Sequence, residues 1–152
     1  MSKIVTLARL EGVGGVLCHG TYDLLHVGHL RFFKEARKYG PLTVTLTAGS
    51  YIRNHGPGRP VFTDSERLEM VAELECVERV ALVHHESGMP AIRTIMPAYY
   101  CKGDETRREG NETLRAEQRL VEDLGGKIMF IAKHGPYSSG KLLSGAFLER
   151  KA

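Results

Sequence analysis

The stretch CHGTYDLLHVGH, residues 18–29, sets two imidazoles three residues apart, His26 and His29, around Gly28, with Gly20 and Asp23 just upstream. Imidazoles so placed can donate hydrogen bonds to phosphate oxygens as negative charge builds on them. That is electrostatic catalysis and needs no protein nucleophile. The stretch follows a short apolar run, Gly15-Val16-Leu17, so it lies where a strand ends and a helix begins. Such junctions hold phosphates, because Gly20 lets the backbone turn and the N–H groups of the first helical turn attract anions. At about 100° per residue from Val27 onward, Arg31, Lys34, Glu35 and Lys38 share one arc. Leu30, Phe32, Phe33, Ala36 and Tyr39 spread over the other, inward one. His29 falls within that inward arc, and His26, if helical, on its flank, with Gly28 leaving room between them. A lone histidine at such a place is usually a cap or a satisfied core residue. The combination Gly20-x-x-Asp23 with His26-x-Gly28-His29 favours phosphate chemistry over that blander role.

These residues need a scaffold. Apolar runs predict strands over 15–19, 42–47, 79–83, 99–102 and 127–131, with helical patterns over 27–38, 64–74, 89–95, 112–124 and from 139 onward. Thr63 and Glu66 have capping-box spacing ahead of Leu68, Val71 and Ala72. Strands that alternate with helices and lack strict apolar/polar alternation predict a parallel sheet covered on both faces. The expected fold class is therefore α/β, a doubly wound parallel five-stranded sheet, with ligands beyond the carboxyl ends of its strands. No repeat, low-complexity tract or linker divides the chain. It is read as a single domain over 1–152 with a lead-in at 1–14, and 49–60 is its one conspicuous loop.

Bulk properties exclude several classes. With 152 residues, a core can be buried without disulfides or metals. The 3 cysteines, Cys18, Cys76 and Cys101, are odd in number and far apart, with no C-x-x-C pair. This argues against a disulfide framework or zinc site and for small buried hydrophobes. A net charge of +3 is too mild for nucleic acid but compatible with a pocket for phosphorylated small molecules. No apolar run is long enough to span a membrane and the amino terminus has no secretion-signal pattern, so the expected setting is the cytoplasm.

GTYDLLHVGH resembles the G-x-F-D-x-x-H-x-G-H motif of the cytidylyltransferase-like nucleotidyltransferases. GPGRPVFTDSERLEMVAELECVERV is similar to the loop and helix after that family's second strand. AYYCKGDE resembles its Y-x-V-K-G-x-D strand end, and LGGKIMFI with YSSGKLL its closing GG-x-x-x-F and S-S-S-K-L-I segments. The arrangement looks most like the sugar-phosphate branch, such as the heptose-phosphate adenylyltransferase domain, with glycerol-3-phosphate cytidylyltransferase a near relative. The resemblance implies a Rossmann-like nucleotidyltransferase fold, a homodimer, and transfer of a nucleotide from ATP or CTP to a small phosphorylated sugar or polyol. The heptose-like segments lean towards ATP. The acceptor would attack the α-phosphorus in line and pyrophosphate would leave, with Mg²⁺ on the triphosphate and no covalent enzyme intermediate. His26, His29 and Lys102 would be the catalytic residues. Gly20, Thr21, Tyr22, Gly28, Ser138, Ser139 and Lys141 would join the histidines in holding the nucleotide. Asp23 would shape the acceptor side or order the motif.

The chain departs from the family pattern at several places. Relatives carry a lysine where His55 stands and an acid where Gly49-Ser50 stands, so Arg53 or His55 would have to supply the loop's positive charge. Gly140 replaces a third hydroxyl residue, and Asp104, a candidate substrate or phosphate contact, comes one residue earlier than the family's acid. Arg59 would brace the loop, and His19 is a possible pocket neighbour. Two further readings stay open: an adenylyltransferase for a coenzyme precursor, and a nucleotide-binding protein that has lost catalysis.

Overall fold

The computed structural model describes residues 2–53, 56–132 and 135–145. Five strands form one sheet: β1 (Val16–Gly20), β2 (Leu42–Thr47), β3 (Arg79–Val83), β4 (Tyr99–Gly103) and β5 (Lys127–Ile131). Their order is β3-β2-β1-β4-β5 and every pairing is parallel. The helices are α1 (Val27–Arg37), α2 (Asp64–Ala72), α3 (Met89–Ile95), α4 (Glu112–Asp123) and α5 (Ser139–Leu143). This is the doubly wound α/β sheet the strand and helix pattern predicts. The order reverses between β1 and β4, which opens a crevice at their carboxyl ends.

Both sheet faces are buried, and side-chain alternation along β1 and β4 sorts residues between them. Val16, Cys18 and Cys101 point into one core with Phe33 and Ala36 of α1 and Val71 of α2. Leu17 and Tyr100 point into the other, against Ala91, Ile92 and Ile95 of α3 and Val121 of α4. All six residues of β2 are buried, as expected of a strand paired on both sides and covered on both faces. The segment before β1 is docked onto this frame. Leu10 is buried in the second core, and Ile4 bridges to Val80 along the edge strand β3.

Element ends differ from expectation by one or two residues. Gly15 sits in a turn at φ +68°, so β1 starts at Val16 and runs on through Gly20. Helix α2 stops at Ala72, its C-cap Glu73 folding its N–H back onto Glu69 and Val71 carbonyls. Its start carries the predicted reciprocal cap: Thr63 Oγ1 accepts from the Glu66 N–H, and the Glu66 carboxylate accepts from the Thr63 N–H. Among the described residues no helix is long and apolar enough to cross a membrane.

Candidate active site

The loop between β1 and α1 carries the paired histidines over the crevice. His26 is extended rather than helical and is the N-cap of α1. Its Nδ1 accepts from the Gly28 N–H at 3.1 Å, while its own N–H donates to His29 Nδ1 at 3.3 Å. The two imidazoles thus do the work that serine and glutamate do in an ordinary capping box. They stack at 3.9 Å between centroids. A Cβ at Gly28 would lie 2.8 Å from the His26 ring, so the stack needs a glycine there. Since each Nδ1 accepts a backbone N–H, a neutral ring must carry its proton on Nε2. Burial and the neighbouring His26 pull the His29 pKa down to about 4, which keeps that imidazole neutral near pH 7.

Tyr22 supports this pair from below. It adopts φ +47°, a conformation uncommon for a residue with a side chain, and its ring folds under Gly20. There it meets His29 edge-on at 5.4 Å and Phe33 at 5.0 Å. Thr21, on the wall of the adjoining polar well, gives its carbonyl to the guanidinium of Arg67 at 2.9 Å. Arg67 is 1% exposed and also grips the Thr47 carbonyl and Asp64, so α2 locks the carboxyl ends of β1 and β2 together.

A cleft of about 310 Å³ opens above these groups. His26, Gly28 and His29 form one wall, Lys102, Gly103 and Glu105 another, and Tyr137, Ser138 and Ser139 a third. Lys102 ends β4 with its Nζ donating to the His19 carbonyl at 3.3 Å and lying 5.6 Å from the centre of the Tyr100 ring. His19 is held between the Thr45 and Thr47 hydroxyls. Burial, then the Lys102 charge, bring its pKa to about 3, so it is neutral. A second, polar well of about 180 Å³ adjoins the cleft, lined by Thr47, Ser87, Asn111 and Thr113 and by Glu86 and Glu117. His19, Gly20, Lys102 and Thr106 belong to both wells.

Asp23, 3% exposed, faces away from these wells into the 49–60 loop and the residues after it. It accepts from Arg59 Nε at 2.8 Å and from the N–H groups of Val61 and Phe62 at 2.7 and 2.9 Å. Burial alone would raise its pKa, but those two N–H groups and the arginine hold it below the ordinary value. Its place is therefore that of an ordering residue, with Arg59 as the brace. Arg53 is bound to the Ser50 carbonyl and lies 3.5 Å from Glu86, on the wall of neither well. His55 lies outside the described residues.

Ser138 is the N-cap of α5, accepting from the Lys141 N–H, and Ser139 donates its hydroxyl to the Leu24 carbonyl. Both line the cleft, whereas the Lys141 side chain is exposed and lies off its walls. Asp104 likewise points outward, pairing with Arg107 at 3.5 Å. Glu105 takes the inward position, its carboxylate packed against Gly103. The sequence expectation named Asp104, and the turn after β4 brings Glu105 to the cleft in its place. Tyr137 carries no such signal, and its ring on the cleft wall, 5.8 Å from the Arg31 guanidinium carbon, emerges only from the fold. No group of three metal-ligating side chains occurs among the described residues. A magnesium ion carried on phosphate oxygens needs only one or two carboxylates, and Glu105 is the carboxylate on the cleft wall among the described residues.

The sequence model of the family described as cytidylyltransferase-like matches residues 17–141. The bifunctional protein HldE of Trichlorobacter lovleyi is 31% identical over 143 residues, and that of Geobacter sulfurreducens 30% identical over 134. These alignments cover 93% and 87% of this chain but 28% and 26% of the relatives, so the chain spans little more than a quarter of their length. A solved structure, the lipopolysaccharide core biosynthesis protein from Thermoplasma volcanium, is similar at TM-score 0.64 and 28% identity over 83% of this chain and 100% of that one. Pantothenate synthetase from Thermus thermophilus, at TM-score 0.57 and 18% identity, shares the fold over 91% of this chain and 66% of its own.

Proposed function

The chain belongs to the cytidylyltransferase-like family of nucleotidyltransferases, and from that premise we propose that it transfers a nucleoside monophosphate from ATP, or less readily CTP, to a small phosphorylated sugar or polyol. An acceptor phosphate oxygen attacks the α-phosphorus in line, and pyrophosphate leaves. The observation that carries this reading is the position of Lys102 between two adjoining wells, one walled by His26 and His29 and the other lined by hydroxyl, amide and carboxylate groups. The triphosphate occupies the first well. The acceptor occupies the second, where Thr47, Ser87, Asn111 and Glu117 offer partners for sugar or polyol hydroxyls and Lys102 faces its phosphate.

Each histidine, its Nδ1 taken up by a backbone N–H, turns Nε2–H to phosphate oxygens whose charge grows as the α-phosphorus becomes pentacoordinate. Donors fixed before the reaction cost no reorganisation when that charge appears. Their mutual capping fixes them. Glu105 would hold a magnesium ion from the cleft wall, and such an ion would supply neutralisation of phosphate charge. The free thiols and the nucleotide substrate favour a cytoplasmic setting, and the family resemblance implies a homodimer, which light scattering would test.

Pyrophosphate release, assayed with Mg²⁺, ATP or CTP and a panel of sugar and polyol phosphates, tests the reading. Release that requires one triphosphate together with one acceptor supports it. Arg53 lines neither well, and this favours a second reading in which nucleotide binding persists without transfer. That reading predicts calorimetric binding of the triphosphate and no release with any acceptor.

A further inference from the structure

Two thiols at the base of the cleft have no part in the chemistry above. β1 and β4 pair in parallel with Cys18 directly opposite Cys101. Neighbouring strands lie about 4.8 Å apart, within the Cα separations of about 4.4–6.8 Å that a disulfide spans. Side chains at registered positions share a sheet face, and both cysteines belong to the same core. Cys18 is 0% exposed and Cys101 1% exposed, yet Cys101 contributes to the cleft wall beside Lys102. The pair is therefore asymmetric: Cys101 belongs to the cleft wall, and Cys18 lies behind it. Burial pushes the Cys18 thiol up, while a hydrogen bond from Cys18 favours the thiolate of Cys101. Cys101 is thus the nucleophile of the two, and Cys18 the resolving thiol.

We propose that Cys18 and Cys101 form an oxidative modification site, at which a hydroperoxide reaching the cleft converts the dithiol to a disulfide that excludes the triphosphate. In the first step the Cys101 sulfur attacks a peroxide oxygen, giving Cys101–SOH and water from hydrogen peroxide. In the second the Cys18 sulfur displaces hydroxide from that sulfenic acid, giving the disulfide and a second water. Each sulfur loses one electron, and the peroxide takes up both. Closing the bond draws two sulfurs from van der Waals contact to about 2.05 Å. That pulls together the strand ends that present Gly20 and Lys102. Displacements of about 1 Å at a site of fixed geometry cost about a hundredfold in rate. Conversely, a bound triphosphate covers Cys101.

The covalent part stands on the strand register and on the place of Cys101 in the cleft wall, and the exclusion rests on the nucleotide reading of the cleft. The test treats the full chain with hydrogen peroxide, alkylates the remaining thiols and maps peptides by mass spectrometry. The expected product joins the Cys18 and Cys101 peptides and is lighter by two hydrogens. Turnover should fall about a hundredfold with calorimetric affinity for ATP and CTP falling alongside it, both should return with dithiothreitol, and oxidation should slow when the triphosphate is present. The variant Cys18→Ala, altered behind the cleft wall, should keep its affinity and accumulate a sulfenic acid that dimedone traps at Cys101. Peroxide treatment that leaves both thiols open to alkylation, or joins them to other partners, overturns the site. A mapped Cys18–Cys101 disulfide with unchanged affinity overturns the exclusion. If the reduced protein binds neither triphosphate, the nucleotide reading has failed, and the peptide map decides the site by itself.

Discussion

His26 and His29 hold one another in place: the His29 ring accepts the His26 N–H, the His26 ring accepts the Gly28 N–H, and the rings stack at 3.9 Å. The helix cap and the proposed catalytic pair are the same two side chains. Replacing His29 by alanine should therefore have two separable effects. Turnover should fall about a hundredfold or more, as for loss of one preorganised oxyanion donor, while triphosphate affinity changes much less. Stability should fall by about 1 kcal/mol, the ordinary cost of a lost cap. Steady-state kinetics, calorimetry and urea denaturation read these separately. Equal losses in turnover and affinity would count against a transition-state role.

Gly28 should tolerate no side chain without loss. A Cβ there would stand 2.8 and 2.9 Å from atoms of the His26 ring, within the first turn of a helix that would otherwise welcome alanine. Gly28→Ala removes a glycine from the first helical turn, a change that by propensity alone stabilises by at most about 1 kcal/mol. Melting should show little destabilisation while turnover drops. An active variant would show that the stack can shift without consequence.

Acid should destabilise the fold through its neutral histidines. His19 and His29 have folded pKa values of about 3 and about 4, below the ordinary 6.5. Between those values the unfolded chain binds more protons than the folded one. Stability is therefore full above about pH 6.5, and below it each histidine costs up to about 1.4 kcal/mol per pH unit. The His29 contribution levels off near its folded pKa and the His19 contribution about one unit lower. The urea midpoint should fall steadily from about pH 6.5 to about pH 4, and less steeply in His29→Asn. A midpoint flat across that window would contradict the neutral state of both rings.

Asp23 should matter to the loop before it matters to chemistry. Its carboxylate accepts from Arg59, Val61 and Phe62, and the Arg59 side chain is 9% exposed. Asp23→Ala leaves that guanidinium buried without its partner and should cost about 3 kcal/mol or more. Asp23→Asn keeps an acceptor and should cost less. Proteolysis within 49–60 should rise in the same order. Equal stability of the two variants would remove Asp23 from this role.

The strands were legible because the two-sided burial of a parallel sheet leaves unbroken apolar runs, as in Leu42–Thr47. The Thr63–Glu66 cap was legible because its signal is local. The site was legible where its motif is local too, at residues 20–29. Side-chain direction was not. His26 reads as a flank of the helix, yet it is extended and caps it. Asp104 and Glu105 are neighbours in a short helical turn, and only the turn decides which faces the cleft. Arg67 looks like a solvated charge among the acids of α2, and long-range bonds to the Thr21 and Thr47 carbonyls bury it. Such partners lie tens of residues away, where no spacing rule reaches.

Phosphorus NMR of the purified protein with Mg²⁺, the triphosphate and each acceptor in turn tests the central claim most directly. Nucleotidyl transfer predicts that one pairing gives pyrophosphate and a diphosphate-bridged product in equal amounts, neither forming when the acceptor is left out. Orthophosphate as the product, or an unchanged spectrum with every acceptor while the triphosphate is seen to bind, would contradict it.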